Sequence, residues 1–209
     1  MKIKTFPVYF VLCFFMFAPL SCKKTPDTSM FKEGDIVFQN KKSKEMDLLT
    51  FISGSKYNNV GILFCIKGKW YVLEAVQPVQ LSPVSAWIKE GEESVYEVMR
   101  LKDLKELTTP DALEKMDSLR KEFMGKSLDS GFEWSDKNMY PAELVWKIYK
   151  RAFAIELSEP SALADFDLSA PGVRQLTEKT YGKKVPLYED IITNNSIYNS
   201  SLLESVTIQ

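Results

Sequence analysis

Residues 59–79, NVGILFCIKGKWYVLEAVQPV, constrain the fold more than any other stretch of the chain. Two β-rich runs flank Lys67-Gly68-Lys69, a pattern that specifies an antiparallel hairpin closed by a tight turn. In the first run Val60, Ile62, Phe64 and Ile66 point to one side and Leu63 and Cys65 to the other, so both faces are apolar. A strand of that kind is covered on both sides and lies centrally in a sheet, which places Cys65 in the core. In the second run Trp70, Val72, Glu74 and Val76 share a face, setting one carboxylate in an apolar row. Burying that charge is costly unless it is paired or hydrogen-bonded. Either Glu74 lies near the strand end and reaches solvent, or it has partners elsewhere in the chain.

The rest of the chain alternates strand and helix signals. KEGDIVFQ (residues 32–39) reads as a first strand, Ser43 to Ile52 as a short helix and VYEVMRL (95–101) as a further strand. Thr109-Pro110 followed by DALEKMDSLRKEFMG predicts a capped helix that stops at Gly125. A polar loop carrying Phe132 and Trp134 leads to a helix opened by Pro141 and running to about Phe153; a further helical stretch spans Pro171 to Tyr181, and the tail beyond it has no clear periodicity. The class is α+β, an antiparallel sheet packed against helices. At 209 residues, 45% of them hydrophobic, the chain can bury one sizeable core. A single domain over residues 32–209 is expected.

The N-terminus, MKIKTFPVYFVLCFFMFAPLSC, has two lysines, an apolar stretch from Phe6 to Leu20 and a small residue before Cys22. It reads as a secretory signal, too short for an ordinary membrane span. It resembles a bacterial lipoprotein signal over residues 1–22 in which Cys22 is lipidated, although Pro19 stands where leucine is usual. A plain cleaved signal or an uncleaved anchor is the alternative. Residues 23–31 then form a tether, which places the protein in a bacterial cell envelope, held to the membrane at the periplasmic side or the outer membrane.

Composition removes several chemistries. With 27 basic and 28 acidic residues and no long basic run, nucleic acid is not an expected partner. Outside Cys13 and Cys22 the only cysteine is Cys65, and there is no histidine. The usual general base, the commonest metal ligand and the partner of every Ser-His or Cys-His dyad are therefore missing. No metal site or cofactor is expected.

EGDIVFQ, SKYNNVGILF, YVLEAVQPVQLSPVSAWI, GFEWSDKNMYPAELVWKIYKRAFAIEL and DFDLSAP together resemble the YiiX-like family of permuted papain-like hydrolases, relatives of the NlpC-type amidases. The resemblance runs from about Gly34 to about Leu203. It implies a permuted papain-like fold in which a strand histidine comes first, in a motif like Tyr-Ser-His-x-Gly. An acidic residue follows on the next strand. The nucleophilic cysteine comes last, at a helix N-terminus in a motif like Tyr-Cys-Ser-Glu-Leu-Val. Such a helix end lowers a thiol pKa and offers N–H groups to an oxyanion.

Carried onto this sequence, the histidine position falls on Asn59, the acid on Glu74 and the cysteine on Pro141. Asn59 cannot shuttle a proton and Pro141 has neither a nucleophile nor an N–H. Cys65 has no base beside it, and Ser130 or Ser135 with Lys137 forms no motif. The resemblance therefore implies a cleft that binds without cutting, for a peptide or an amide- or ester-linked acyl group, lined or flanked by Tyr57, Asn59, Glu74, Trp134 and Tyr140. Two other readings stay open: a hydrolase in which a Glu74 carboxylate of raised pKa acts on water, and an interaction protein using the loop around Phe132 and Trp134.

Overall fold

The computed structural model describes residues 26–42, 47–102 and 109–208. The expected signal, Cys22 and the first residues of the tether lie outside them, as do residues 43–46 of the expected first helix. Six strands, β1 (Ile36–Lys41), β2 (Asn59–Ile66), β3 (Lys69–Glu74), β4 (Gln80–Pro83), β5 (Gly91–Leu101) and β6 (Leu203–Ile208), form one sheet in the order β6-β5-β1-β2-β3-β4. Every neighbouring pair is antiparallel. Six helices accompany it among the described residues: α1 (Leu48–Ile52), α2 (Val84–Glu90), α3 (Pro110–Phe123), α4 (Pro141–Phe153), α5 (Pro171–Tyr181) and α6 (Asn194–Tyr198).

The hairpin forms as its sequence requires. Lys67 and Gly68 both take positive φ, 51° and 73°, the geometry that matches the twist of two paired strands. β2 is central, and its two faces feed two separate cores. Val60, Ile62 and Phe64 join Ile36, Phe38 and the α3 and α4 side chains Met116, Leu144 and Ile148 in the larger one. Leu63 packs with Val37, Val72, Tyr96 and Val98 under Trp87 of α2 in the smaller. Phe31, at the end of the expected tether, is buried in that second core. Gly61 sits where the strands press closest: a Cβ there would stand 2.4 Å from Val72 Cγ1 and 2.7 Å from the Leu73 carbonyl oxygen.

Several boundaries differ from the sequence expectations, each for a physical reason. β1 begins at Ile36 because Asp35 caps the preceding turn, accepting from Lys32 N at 2.8 Å, and forms a bidentate pair with Arg100. β3 stops at Glu74 rather than near Val79, since the chain turns back as β4 against it. α2 starts directly after Pro83 with no side-chain cap, so its start lacks a sequence signal. β5 begins at Gly91, four residues before the expected start at 95, and Glu93 and Ser94 in that added stretch carry positive φ. The tail is not structureless: residues 203–208 pair with β5 as an edge strand, whose polar composition hides it. Cys65 is half-buried, not in either core.

α3 and α4 follow their signals. Thr109 caps α3 through its hydroxyl, accepting from Ala112 N at 3.3 Å with Pro110 in the first turn. Ten of the thirteen α4 residues are buried, which makes this helix the centre of the larger core.

Candidate functional site

Asn59 opens β2 and Glu74 closes β3, with Gly61 facing Glu74 in register. Both side chains therefore leave the same sheet face, two positions apart, within reach of each other. Asn59 Nδ2 donates to Glu74 Oε2 at 3.3 Å and Ser82 Oγ donates to Oε1 at 2.7 Å. Lys41 Nζ lies 3.0 Å from Glu74 Oε2 and 2.9 Å from Glu90 Oε2. Glu74 is only 1% exposed, so the account in which it reaches solvent fails; it is a buried carboxylate with an ammonium and two hydrogen-bond donors around it. Burial works against the Lys41 charge, but the neighbouring Glu74 and Glu90 outweigh it and raise the ammonium pKa.

Pro141 is the first residue of α4, after Tyr140 as N-cap, where its missing N–H interrupts no helical bond. Two recesses adjoin it. The larger, about 350 Å³, is walled by Leu48, Leu128, Asp129, Phe132, Leu176 and Lys179. The smaller, about 10 Å³, has room for about one water and is bounded by Thr50, Tyr140, Ala142 and Asn194. Asn59 and Glu74 line neither. The alternation along β2 explains this. Asn59 shares its face with Leu63 and the α2 core, while α4 packs against Val60, Ile62 and Phe64 on the other. A recess of about 560 Å³ at Tyr57, Asn40, Lys42, Glu92, Glu93 and Val95 is more voluminous but touches none of Asn59, Glu74 or Pro141. The recess beside α4 is the better candidate site, because Pro141 at the helix start lines it.

The remaining expected residues serve mainly as scaffold. Tyr57 is buried and donates its hydroxyl to Glu97 at 2.8 Å, a carboxylate that also accepts from Tyr198 at 2.9 Å and Lys56 at 3.3 Å. Burial opposes the Glu97 charge, and these donors overcome it to lower the pKa. Tyr140 is buried with its hydroxyl accepting from Ile192 N at 3.0 Å; desolvation holds the phenol far above its ordinary pKa. Its ring meets Phe132 edge-on at 5.3 Å. Trp134 is half-buried, stacked edge-on against Trp146 at 5.2 Å with Lys147 Nζ 4.9 Å from its ring centre.

Several structurally important residues escaped sequence reasoning. Lys41 and Ser82 complete the Glu74 cluster, yet Lys41 stands in a lysine-rich stretch that reads as solvated. The detectable signal was the row Val37, Gln39, Lys41, which continues the Asn59 face across β1 through the register Gln39 to Asn59. Glu143 is fully buried in the first turn of α4. Lys147 Nζ lies 2.7 Å from its Oε1, outside hydrogen-bond geometry, so the contact is an ion pair. Desolvation is the main cause that pushes the Glu143 carboxyl up to about 7, with Asp129 adding to it and Lys147 opposing. Lys147 also donates to Ser135 O at 2.6 Å and Asp136 Oδ1 at 2.9 Å, which ties the loop to the helix.

A central helix whose N-terminus borders a cavity, packed on an antiparallel sheet in this chain order, agrees with the permuted papain-like arrangement that the sequence resembles. The family model described as permuted papain-like amidase enzyme, YaeF/YiiX, C92 family, matches residues 30–207. The chain belongs to that family. It is 33% identical over 173 residues to the uncharacterized protein YiiX of Escherichia coli (strain K12), covering 83% of this chain and 84% of that one. A solved structure described as metalloprotein yiiX from Escherichia coli O157:H7 superposes with a TM-score of 0.79 at 32% identity, covering 85% of this chain and 97% of that chain.

Proposed function

We propose that this protein is a lipid-anchored member of a bacterial cell envelope that has lost hydrolysis and holds a peptide or acyl ligand in the cavity beside α4. One observation carries the reading: the helix position that borders the cavity is Pro141, in a chain with no histidine. A proline there offers no nucleophile, and no imidazole exists to activate one. Membership of an amidase family supplies the ligand class, an amide- or ester-linked group. The cavity is mixed in character, with Leu48, Leu128, Phe132 and Leu176 for an apolar body and Asp129, Ser130 and Thr180 for polar groups. The leader ending at Ser21-Cys22 supports the anchor.

The reading with Glu74 as a base on water finds no support in the geometry. Its oxygens are engaged by Lys41, Ser82 and Asn59, and it lines no cavity beside α4. The solved relative is described as a metalloprotein, but the carboxylate cluster of this chain is already filled by an ammonium. Among the described residues no three of His, Cys, Asp and Glu gather to hold a metal ion, and the Glu74 and Glu90 carboxylates flank an ammonium. The function proposed here uses no metal.

The test is incubation of the purified mature chain with cell-wall peptides and acyl amides or esters, followed by mass spectrometry of both pools. No turnover is expected, and a ligand retained by the chain is expected to be lost when Leu176→Trp fills the cavity. Turnover that disappears in Glu74→Gln would overturn the reading.

A further inference from the structure

The cluster around Lys41 is built like a cation site. Its polar groups come from four elements: the carboxylates of Glu74 (β3) and Glu90 (α2) flank Lys41 Nζ, while the Ser82 hydroxyl of β4 and Asn59 Nδ2 of β2 donate to Glu74. Glu90 is the last residue of α2, and the carbonyl end of a helix favours positive charge nearby. Gln39, fully buried, lies two residues before Lys41 on the same strand and so on the same face. Lys41 faces Gly91 in register, and Gln39 Oε1 lies 2.4 Å from where a Gly91 Cβ would be, so only glycine leaves the amide its room. Neither polar atom of the Gln39 side chain has a partner, an orphaned amide beside an otherwise satisfied cluster.

We infer that the Lys41 ammonium is the resident cation of this oxygen-lined site and excludes a divalent metal ion from it. A buried carboxylate demands a counter-charge, and three species meet that demand: a protonated imidazole, a metal ion or an ammonium. With asparagine at position 59 the first is absent, and the lysine side chain, itself mostly buried, supplies the third from the neighbouring strand. Two carboxylates, the Ser82 hydroxyl and the neighbouring Gln39 amide supply oxygen donors of the kind a hard divalent ion takes once that ammonium is gone. The site is thus closed by charge, with Gln39 as the unused ligand. The inference concerns the α2 face of the sheet and stands whether or not the cavity beside Pro141 holds a ligand.

The experiment is equilibrium dialysis of the full mature chain against Mn²⁺, Ca²⁺ and Zn²⁺ separately, with thermal unfolding in parallel. The wild-type chain is expected to show no saturable binding and no change in Tm. Lys41→Met is expected to bind one ion at least roughly tenfold more tightly than the wild type does, with a Tm that rises on adding the ion. Lys41→Arg, which keeps the charge, is expected to behave as wild type, and Lys41→Met with Glu74→Gln to lose the gain. Should Lys41→Met not fold, Lys41→Gln carries the same expectation. A wild-type chain that binds one ion and loses it in Glu74→Gln overturns the inference, as does a folded Lys41→Met or Lys41→Gln chain that binds none.

Discussion

Glu143 and Lys147, one turn apart on α4, place Oε1 and Nζ 2.7 Å from each other with both side chains removed from solvent. Desolvation still dominates, and the carboxyl is pushed from 4.5 up to about 7. The unfolded chain ionises near 4.5 and the folded chain only near 7, so between those values the folded state holds the extra proton. Stability from this group is complete below 4.5, falls as pH rises towards 7 and is lost above it, by on the order of 3 kcal/mol. Urea unfolding at several pH values is expected to show this decline in the wild type and a flatter profile in Glu143→Gln. Parallel profiles would contradict it.

The Lys41–Glu74 pair is a buried pair whose separation leaves a charge behind. Removing either partner alone, as Lys41→Met or Glu74→Gln, is expected to cost about 3–5 kcal/mol, and the double variant less than the sum. A double-mutant cycle in denaturant measures the coupling, and additive losses would show that the two groups do not interact.

Pro141→Cys places a thiol at the N-terminus of a buried helix. The change is expected to leave stability within about 1 kcal/mol, because the first helical position makes no intrahelical N–H bond. Iodoacetamide labelling of the introduced thiol is expected without amide hydrolysis, since no base stands by. Hydrolysis by this single variant would mean that an unrecognised base serves the cavity.

Gly61→Ala tests the closeness of β2 and β3. The added methyl would lie 2.7 Å from a main-chain oxygen and 2.4 Å from Val72 Cγ1, and only the side chain can yield. A loss of about 1–3 kcal/mol is expected by thermal or chemical unfolding, partly recovered when Val72→Ala is added.

Much of the fold was readable before any coordinates. The hairpin, α3, α4 and α5 follow from periodicity, Pro and Thr at helix starts and a Gly-containing turn, all of which act over a few residues. β6 and α2 were not readable, because an edge strand of mixed polarity and a seven-residue helix without a side-chain cap carry no local signature. Of the candidate site, Asn59, Glu74 and Pro141 could be named from motif positions, but their spatial relation could not.

What the sequence by itself determined is chemical: a chain without histidine, with proline opening α4 and asparagine opening β2, lacks a nucleophile and an imidazole at those positions whatever its shape. The tertiary structure decided where each of those residues looks. Strand alternation turns Asn59 and Glu74 towards α2 and leaves Pro141 beside a separate cavity, and the register of β1 with β2 and β5 brings Lys41 to Glu74. Such relations depend on pairing between strands far apart in the chain, and no local propensity encodes them.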